Sequence, residues 1–142
     1  MKQEPFVIER VYQASVDRVW RALTNKDEMK QWYFDLAEFR PEVGFEFQFE
    51  GGPQDRTYVH FCKVTEVVKD KKLQYSWAYK GYEGQSFVTF ELFPEGDKTR
   101  LKLTHEGLET FPDIADFKKE NFAEGWTAII GKHLAKYLGQ PV

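Results

Sequence analysis

The feature that most constrains the fold is a two-residue alternation of apolar and polar side chains in the middle of the sequence. At residues 45–50 three phenylalanines alternate with Glu, Gln and Glu, and similar patterns return near residues 73–77, 88–92 and 101–105. Successive side chains of a strand point to opposite faces of a sheet, so each segment predicts a strand with one buried face. Short turn sequences such as PEGDK join the segments, which favours antiparallel neighbours.

The apolar face of such a sheet must be buried against another element. The only long apolar segment that can cover it is a helix expected at the C-terminal end of the sequence. We expect this helix over residues 113–138, with a break near Gly125. At 100° per residue its apolar arc includes Phe122, Trp126, Ile130, Leu134, Tyr137 and Leu138. His133 falls near the middle of the same arc, so the pattern predicts a buried imidazole. Such a group needs a hydrogen-bond partner, for which Tyr75, an ordered water or a ligand's polar end are candidates.

The N-terminal part predicts one strand and two short helices. Residues 6–13 are rich in Val, Ile, Phe and Tyr, as is typical of a strand. Ser15 has the character of a helix N-cap, and Asn25 followed by Glu28 predicts a second start, with that helix ending near Trp32. The order predicts an α+β fold: a curved antiparallel sheet of about seven strands wrapped around a long C-terminal helix, with two short helices after strand 1. Without repeats or linkers, residues 1–142 are expected to form a single domain.

The charge and cysteine content narrow the classes of partner. The formal net charge is −3 and no run of Lys or Arg exceeds two residues, so we expect no nucleic-acid partner. Cys62 is the only cysteine, as suits a reducing compartment. The first twelve residues carry four charges, unlike a signal peptide, and no apolar run approaches the ~20 residues of a membrane span. We therefore expect a cytoplasmic protein with no membrane insertion.

Three stretches resemble a known family: VYQASVDRVWRALTNKDEMKQWYF, VTFELFPEGDKTRLKLTHEGL and GWTAIIGKHLAKYLG. The matching positions are Ala14, Val19, Trp20, Leu23, Thr24, Trp32, Thr99, Arg100, Leu101, His105, Gly125 and Trp126. They are similar to the family named after activators of the heat-shock-protein-90 ATPase. That family belongs to the SRPBCC superfamily, with START-type lipid-transfer domains and pollen-allergen-type proteins. The resemblance implies a helix-grip fold with a cavity between helix and sheet, and the family name implies a stress-response role with a chaperone contact.

The leading functional hypothesis is a non-enzymatic binder of a small hydrophobic molecule, such as a lipid, a polyketide or a flavonoid-like compound. The residues expected to face this ligand are Phe47, Phe49, Tyr75, Trp77, Phe90, Leu103, His105, Trp126, Ile130, His133 and Tyr137. The alternative for the same set is a filled core without a cavity. Other candidate functions are a cyclase or dehydratase using His133 or His105, and a chaperone-ATPase regulator. No serine or cysteine is identifiable beside either histidine as a nucleophile, so no catalytic residue is assigned.

The sequence predicts neither a metal site nor a cofactor. His60 and Cys62 lie two apart on an expected strand and share a face, but a zinc site needs three or four ligands. No His-x-x-x-His or Cys-x-x-Cys pair completes one. The Gly51-Gly52 pair is followed by Pro53, which lacks the amide donor that a phosphate-binding loop would use.

Overall fold

The structure is a computed structural model that describes residues 4–33, 36, 38–51, 57–112, 114 and 117–139. The strands are β1 (Phe6–Tyr12), β2 (Glu46–Gly51), β3 (Tyr58–Val68), β4 (Lys72–Tyr79), β5 (Ser86–Glu95) and β6 (Lys98–Glu106). The helices are α1 (Val16–Thr24), α2 (Lys26–Trp32), a 3-10 turn (Leu108–Thr110), α3 (Lys119–Ala128), a π turn (Ile129–His133) and α4 (Leu134–Tyr137). Within these residues no helix is long and apolar enough to cross a bilayer.

The six strands form one antiparallel sheet in the order β1-β6-β5-β4-β3-β2. Buried and more exposed positions alternate along β2 and β6, which confirms the predicted one-sided strands. The α+β helix-grip fold is also confirmed, although the described residues form six strands where about seven were expected. The segment before β2 makes a turn, in which Gly44 adopts a φ of 95°.

The C-terminal helix differs from the expected helix in its start and in its internal geometry. Its α-helical part begins at Lys119, later than the expected residue 113, which itself lies outside the described residues. No break occurs at Gly125. Instead, one π turn follows α3, and the Leu134 N–H donates to the Ile129 carbonyl, five residues earlier. The buried Tyr12 hydroxyl donates to the Ile130 carbonyl at 2.6 Å, which ties the π turn to β1.

The prediction that His133 is buried was wrong: its side chain is exposed. A π turn holds one more residue than an α turn, so it rotates everything that follows by about 100° relative to a regular helix. Ala135 is thereby turned into the core beside Leu134, and His133 is turned out to solvent. The expected arc was correct for Phe122, Trp126, Ile130 and Leu134, which are buried, whereas Tyr137 and Leu138 are only half-buried.

The two short helices hold the end of the C-terminal helix. The Asn25 side chain accepts the backbone N–H groups of Asp27 and Glu28, which confirms the predicted start of α2. One Glu28 carboxylate oxygen accepts from Arg18 at 2.8 Å and from the Tyr137 hydroxyl at 2.9 Å. These bonds join α1, α2 and α4 at one point.

Candidate functional site

The structure brings nine of the eleven predicted ligand-site residues into the buried core between sheet and helix: Phe47, Phe49, Tyr75, Trp77, Phe90, Leu103, His105, Trp126 and Ile130. The other two lie elsewhere. His133 is exposed, and Tyr137 is half-buried against α1 and α2, with the Arg18 guanidinium 5.0 Å above its ring. The candidate site is therefore formed by the strands and by the helix up to the π turn.

Trp126, on α3, is the point where the helix meets the rings of the sheet. Its ring centroid lies 5.7 Å from that of Trp77 on β4 and 6.1 Å from that of Phe90 on β5. Tyr33, directly after α2, stacks on it with ring centroids 6.1 Å apart. Aromatic pairs at such separations are in favourable contact.

A chain of three hydrogen bonds fixes the two tryptophans to each other. The Trp126 indole N–H donates to Nδ1 of His105 at 2.9 Å. The other imidazole nitrogen, Nε2, lies 2.8 Å from the Ser86 hydroxyl, which donates to the Trp77 carbonyl at 3.1 Å. Strand register produces this arrangement, because Ser86 on β5 pairs directly with Trp77 on β4.

The direction of these bonds determines the charge state of His105. An indole N–H can only donate, so Nδ1 must carry a lone pair and the proton of the neutral ring sits on Nε2. The Nε2–H then donates to the Ser86 hydroxyl. Both imidazole nitrogens of His105, the Trp126 indole N–H and the Ser86 hydroxyl therefore all have hydrogen-bond partners. Complete burial lowers the pKa of His105 to about 3, in agreement with this neutral tautomer.

The same geometry does not resemble a serine nucleophile with its general base. A base must accept the serine proton, whereas Nε2 of His105 already carries one. Ser86 and His105 are both fully buried. The sequence identified no serine beside either histidine as a nucleophile; Ser86 does contact His105, but not in the geometry of a nucleophile. Its position at the start of a strand was the available signal, but the contact depends on strand pairing.

A second polar element is a pair of tyrosines, of which sequence reasoning identified only Tyr75. The Tyr33 and Tyr75 hydroxyl oxygens are 2.7 Å apart, with either one as donor. Burial raises the pKa of both hydroxyls well above the ordinary value. The Tyr33 ring as a whole is only half-buried, so its hydroxyl points inward while part of the ring reaches the surface.

His60 and Cys62 share the buried face of β3, as predicted. The His60 ring stacks on Phe49 with centroids 4.5 Å apart, and burial lowers its pKa to about 4. Burial raises the pKa of the Cys62 thiol, so the thiolate that binds metal is disfavoured. Within the described ranges, no three His, Cys, Asp or Glu side chains cluster as metal ligands would.

One groove bounded by described residues lies on the outer surface, between β1 and α3. Its volume is about 550 Å³, and Arg10, Thr127, Gly131 and Lys132 contribute to its walls. The residues of this groove are separate from the aromatic core around Trp126.

Comparison with known proteins places the chain in a family. A family model described as activator of Hsp90 ATPase homolog 1-like protein matches residues 13–139. The chain belongs to this family. Membership confirms the resemblance seen in the sequence. No curated protein sequence matches the chain.

Solved structures show how widely the family's fold is shared. Mll3558 from Rhizobium loti is 29% identical with a TM-score of 0.79, over 94% of this chain and 96% of that one. CalU16 from Micromonospora echinospora is 24% identical with a TM-score of 0.74, over 94% and 75%. DynU16, from the dynemicin biosynthetic locus, is 22% identical with a TM-score of 0.78, over 98% of this chain but 49% of that one. At these identities the last two show the fold alone.

Proposed function

We propose that the protein binds a small hydrophobic molecule between the C-terminal helix and the inner face of the sheet. The observation that carries this proposal is the convergence of rings from α2, β4 and β5 on Trp126. Small-molecule sites are mainly apolar and aromatic, with a few placed polar groups, and this interior has that composition. The location of the similar DynU16 in a biosynthetic locus agrees with a small-molecule role.

Entry of a ligand requires some of these rings to separate, because they contact one another. Among the rings that contact Trp126, Tyr33 is the most exposed, so it is the ring that we expect to move. It is half-buried, whereas Trp126 and Tyr75 are 2% and 1% exposed. Rotation of Tyr33 would remove its stacking on Trp126 and expose the Tyr75 hydroxyl to the space that it leaves.

The Tyr33–Tyr75 pair is the polar group we assign to ligand orientation. The sequence predicted this role for His133, but the side chain of that residue is exposed. His105 is unsuited to it, because its two ring nitrogens are already bonded to Trp126 and Ser86. A phenolic hydroxyl both donates and accepts, so Tyr75 can exchange its bond to Tyr33 for a bond to a ligand oxygen.

The test is an NMR titration of the labelled protein with lipids, fatty acids, flavonoids and polyketides. We expect at least one class to give saturable shifts at the Trp126 indole N–H and at inner-face residues of β4 and β5. Absence of saturable shifts from every class, or shifts confined to the outer groove, would refute the proposal. Turnover of a bound compound would favour a cyclase or dehydratase, and binding to a purified chaperone without ligand shifts would favour a regulator.

A matched pair of variants tests the role of the tyrosine hydroxyls. Tyr75→Phe should weaken binding of an oxygen-bearing ligand about 5- to 10-fold, as loss of one hydrogen bond of ~1 kcal/mol does. Tyr82→Phe makes the same chemical change on a ring that is 41% exposed and should leave affinity unchanged. Equal effects of the two variants would contradict the assignment.

A further inference from the structure

The interior contains no fixed charge among the residues that the structure describes. Every buried residue in these ranges is apolar except six polar ones: His60, Ser76, Ser86, Thr89, Thr99 and His105. None is a lysine, arginine, aspartate or glutamate. The described core therefore offers no permanent counter-ion to a ligand that enters it.

The two histidines do not supply a charge either. His105 is held neutral by geometry, because protonation of Nδ1 would remove the acceptor of the Trp126 N–H. His60 is enclosed by rings, with the centroids of Phe49, Trp77 and Tyr79 between 4.5 and 4.9 Å away. A charged imidazole in such surroundings would lose its hydration without gaining an anionic partner.

The groups that could become anionic are also kept neutral. Burial raises the pKa of the Cys62 thiol and of the Tyr33 and Tyr75 hydroxyls. Neither a carboxylate nor an ammonium ligand would find an opposite charge among these groups. Burying an unpaired ion is far more costly than burying a neutral polar group with a hydrogen bond.

The lining rings also favour one shape of ligand. Phe47 meets the Tyr75 ring edge-on at 5.1 Å, and Phe49 meets Trp77 in the same way at 5.6 Å. Tyr33 stacks on Trp126 with an interplanar angle of 18°. A planar aromatic ligand could replace Tyr33 in this stack and keep its ring contacts, whereas an alkyl chain would forfeit them.

From these observations we infer that the site takes uncharged aromatic molecules bearing a carbonyl or hydroxyl oxygen, and that it rejects carboxylates such as fatty acids. This inference rests on the proposed binding function and narrows its ligand class. The ring system would lie against Trp126, and the oxygen would bond to the Tyr75 hydroxyl. The tyrosine pair would thus bind a neutral oxygen atom of the ligand. A carboxylate oxygen would not be bound there, since no described residue beside the pair carries a positive charge.

Three probes with one ring system separate charge from shape. Methyl 2-naphthoate is neutral, 2-naphthoic acid is a carboxylate at pH 7, and 2-naphthylmethylamine is an ammonium ion at that pH. Each is titrated into the full chain at pH 7, with the Trp126 indole N–H as the NMR reporter. We expect the ester to bind at this position and both ions to bind there at least about 100-fold more weakly, because of the uncompensated charge.

The outcomes distinguish failure of this inference from failure of the proposed function. Equal or tighter binding of the carboxylate at Trp126 overturns the inference but leaves a hydrophobic-ligand protein. Preferred binding of the ammonium ion also overturns it and indicates a cation–π site. If none of the three shifts the Trp126 signal and no compound of the wider titration does so, the proposed function itself fails. Carboxylate shifts confined to the outer groove near Arg10 support the inference, because the interior has then excluded the ion.

Discussion

Acidification should destabilise the protein through its two buried histidines. The pKa of His105 is about 3 and that of His60 about 4 in the folded chain, both below the ordinary value of 6.5. Between the unfolded and folded values, the unfolded chain binds more protons than the folded one. The contribution of each histidine to stability is therefore fully present above about pH 6.5 and declines as pH falls towards its folded pKa.

The size of the effect follows from the shift. A pH of 5 is about 1.5 units below the pKa of a histidine in the unfolded chain, so that histidine is almost fully charged. In the folded chain His105 remains neutral at this pH. Its loss of stability between pH 7 and pH 5 is about 2 kcal/mol, and His60 contributes a similar amount. The free energy of unfolding, measured by urea denaturation at both pH values, should therefore fall by roughly 4 kcal/mol from these two groups.

Glutamine replacements isolate the part due to His105. His105→Gln keeps an acceptor for Trp126 and a donor for Ser86 but cannot titrate. Its unfolding free energy should fall by about 2 kcal/mol less than that of the wild type between pH 7 and pH 5. His133→Gln is the matched control at an exposed position, and its decrease should equal the wild-type decrease. The reasoning would be refuted if the unfolding free energy of His105→Gln fell between pH 7 and pH 5 by as much as that of the wild type. An NMR titration that gave His105 a pKa near 6.5 would refute it as well.

Two further predictions concern the backbone and are checked by urea denaturation at pH 7. Gly84→Ala should destabilise by more than about 1 kcal/mol, because φ is 105° and the added carbon would collide with the Thr110 carbonyl. Gly131→Ala, the helical counterpart, should be neutral or stabilise by up to about 1 kcal/mol, and the opposite order of the two would contradict the geometry. Tyr12→Phe should cost about 1–3 kcal/mol by leaving the buried Ile130 carbonyl without its side-chain donor; an unchanged unfolding curve would show that this bond contributes nothing.

The sheet could be predicted from the sequence because its signal is local. Alternation at residues 45–50 and 101–105 reports directly which side chains are buried, and the structure buries Phe47, Phe49, Leu101 and Leu103 accordingly. A constant 100° per residue also predicted the buried face of the helix correctly at Phe122, Trp126 and Ile130, but it placed His133 inside. At the π turn the direction of the side chains changes, and there the Ile130 carbonyl accepts a hydrogen bond from Tyr12 of β1. No pattern within the helix itself can indicate a partner that lies 118 residues earlier in the sequence.

The site shows the same division between local and long-range information. Trp126 and His105 were identified because each lies on the apolar face of its own element. Ser86 was missed because its contact with His105 needs the register of β4, β5 and β6 together. Tyr33 was missed because it follows the last residue of α2, where helical periodicity no longer says which way a side chain points.

The π turn also affects how this chain should be compared with its relatives. One extra residue is accommodated inside a continuous helix, so an alignment without a gap would pair outward positions of this chain with inward positions of a relative that lacks the turn. Deleting a single residue from 129–133 would convert the π turn to a regular α turn and leave Leu134 facing the core, because the residues on either side of the turn already face the sheet correctly. In the ungapped alignment His133 would be matched to a core position of the relative, so a substitution at this exposed residue would be mistaken for a core change.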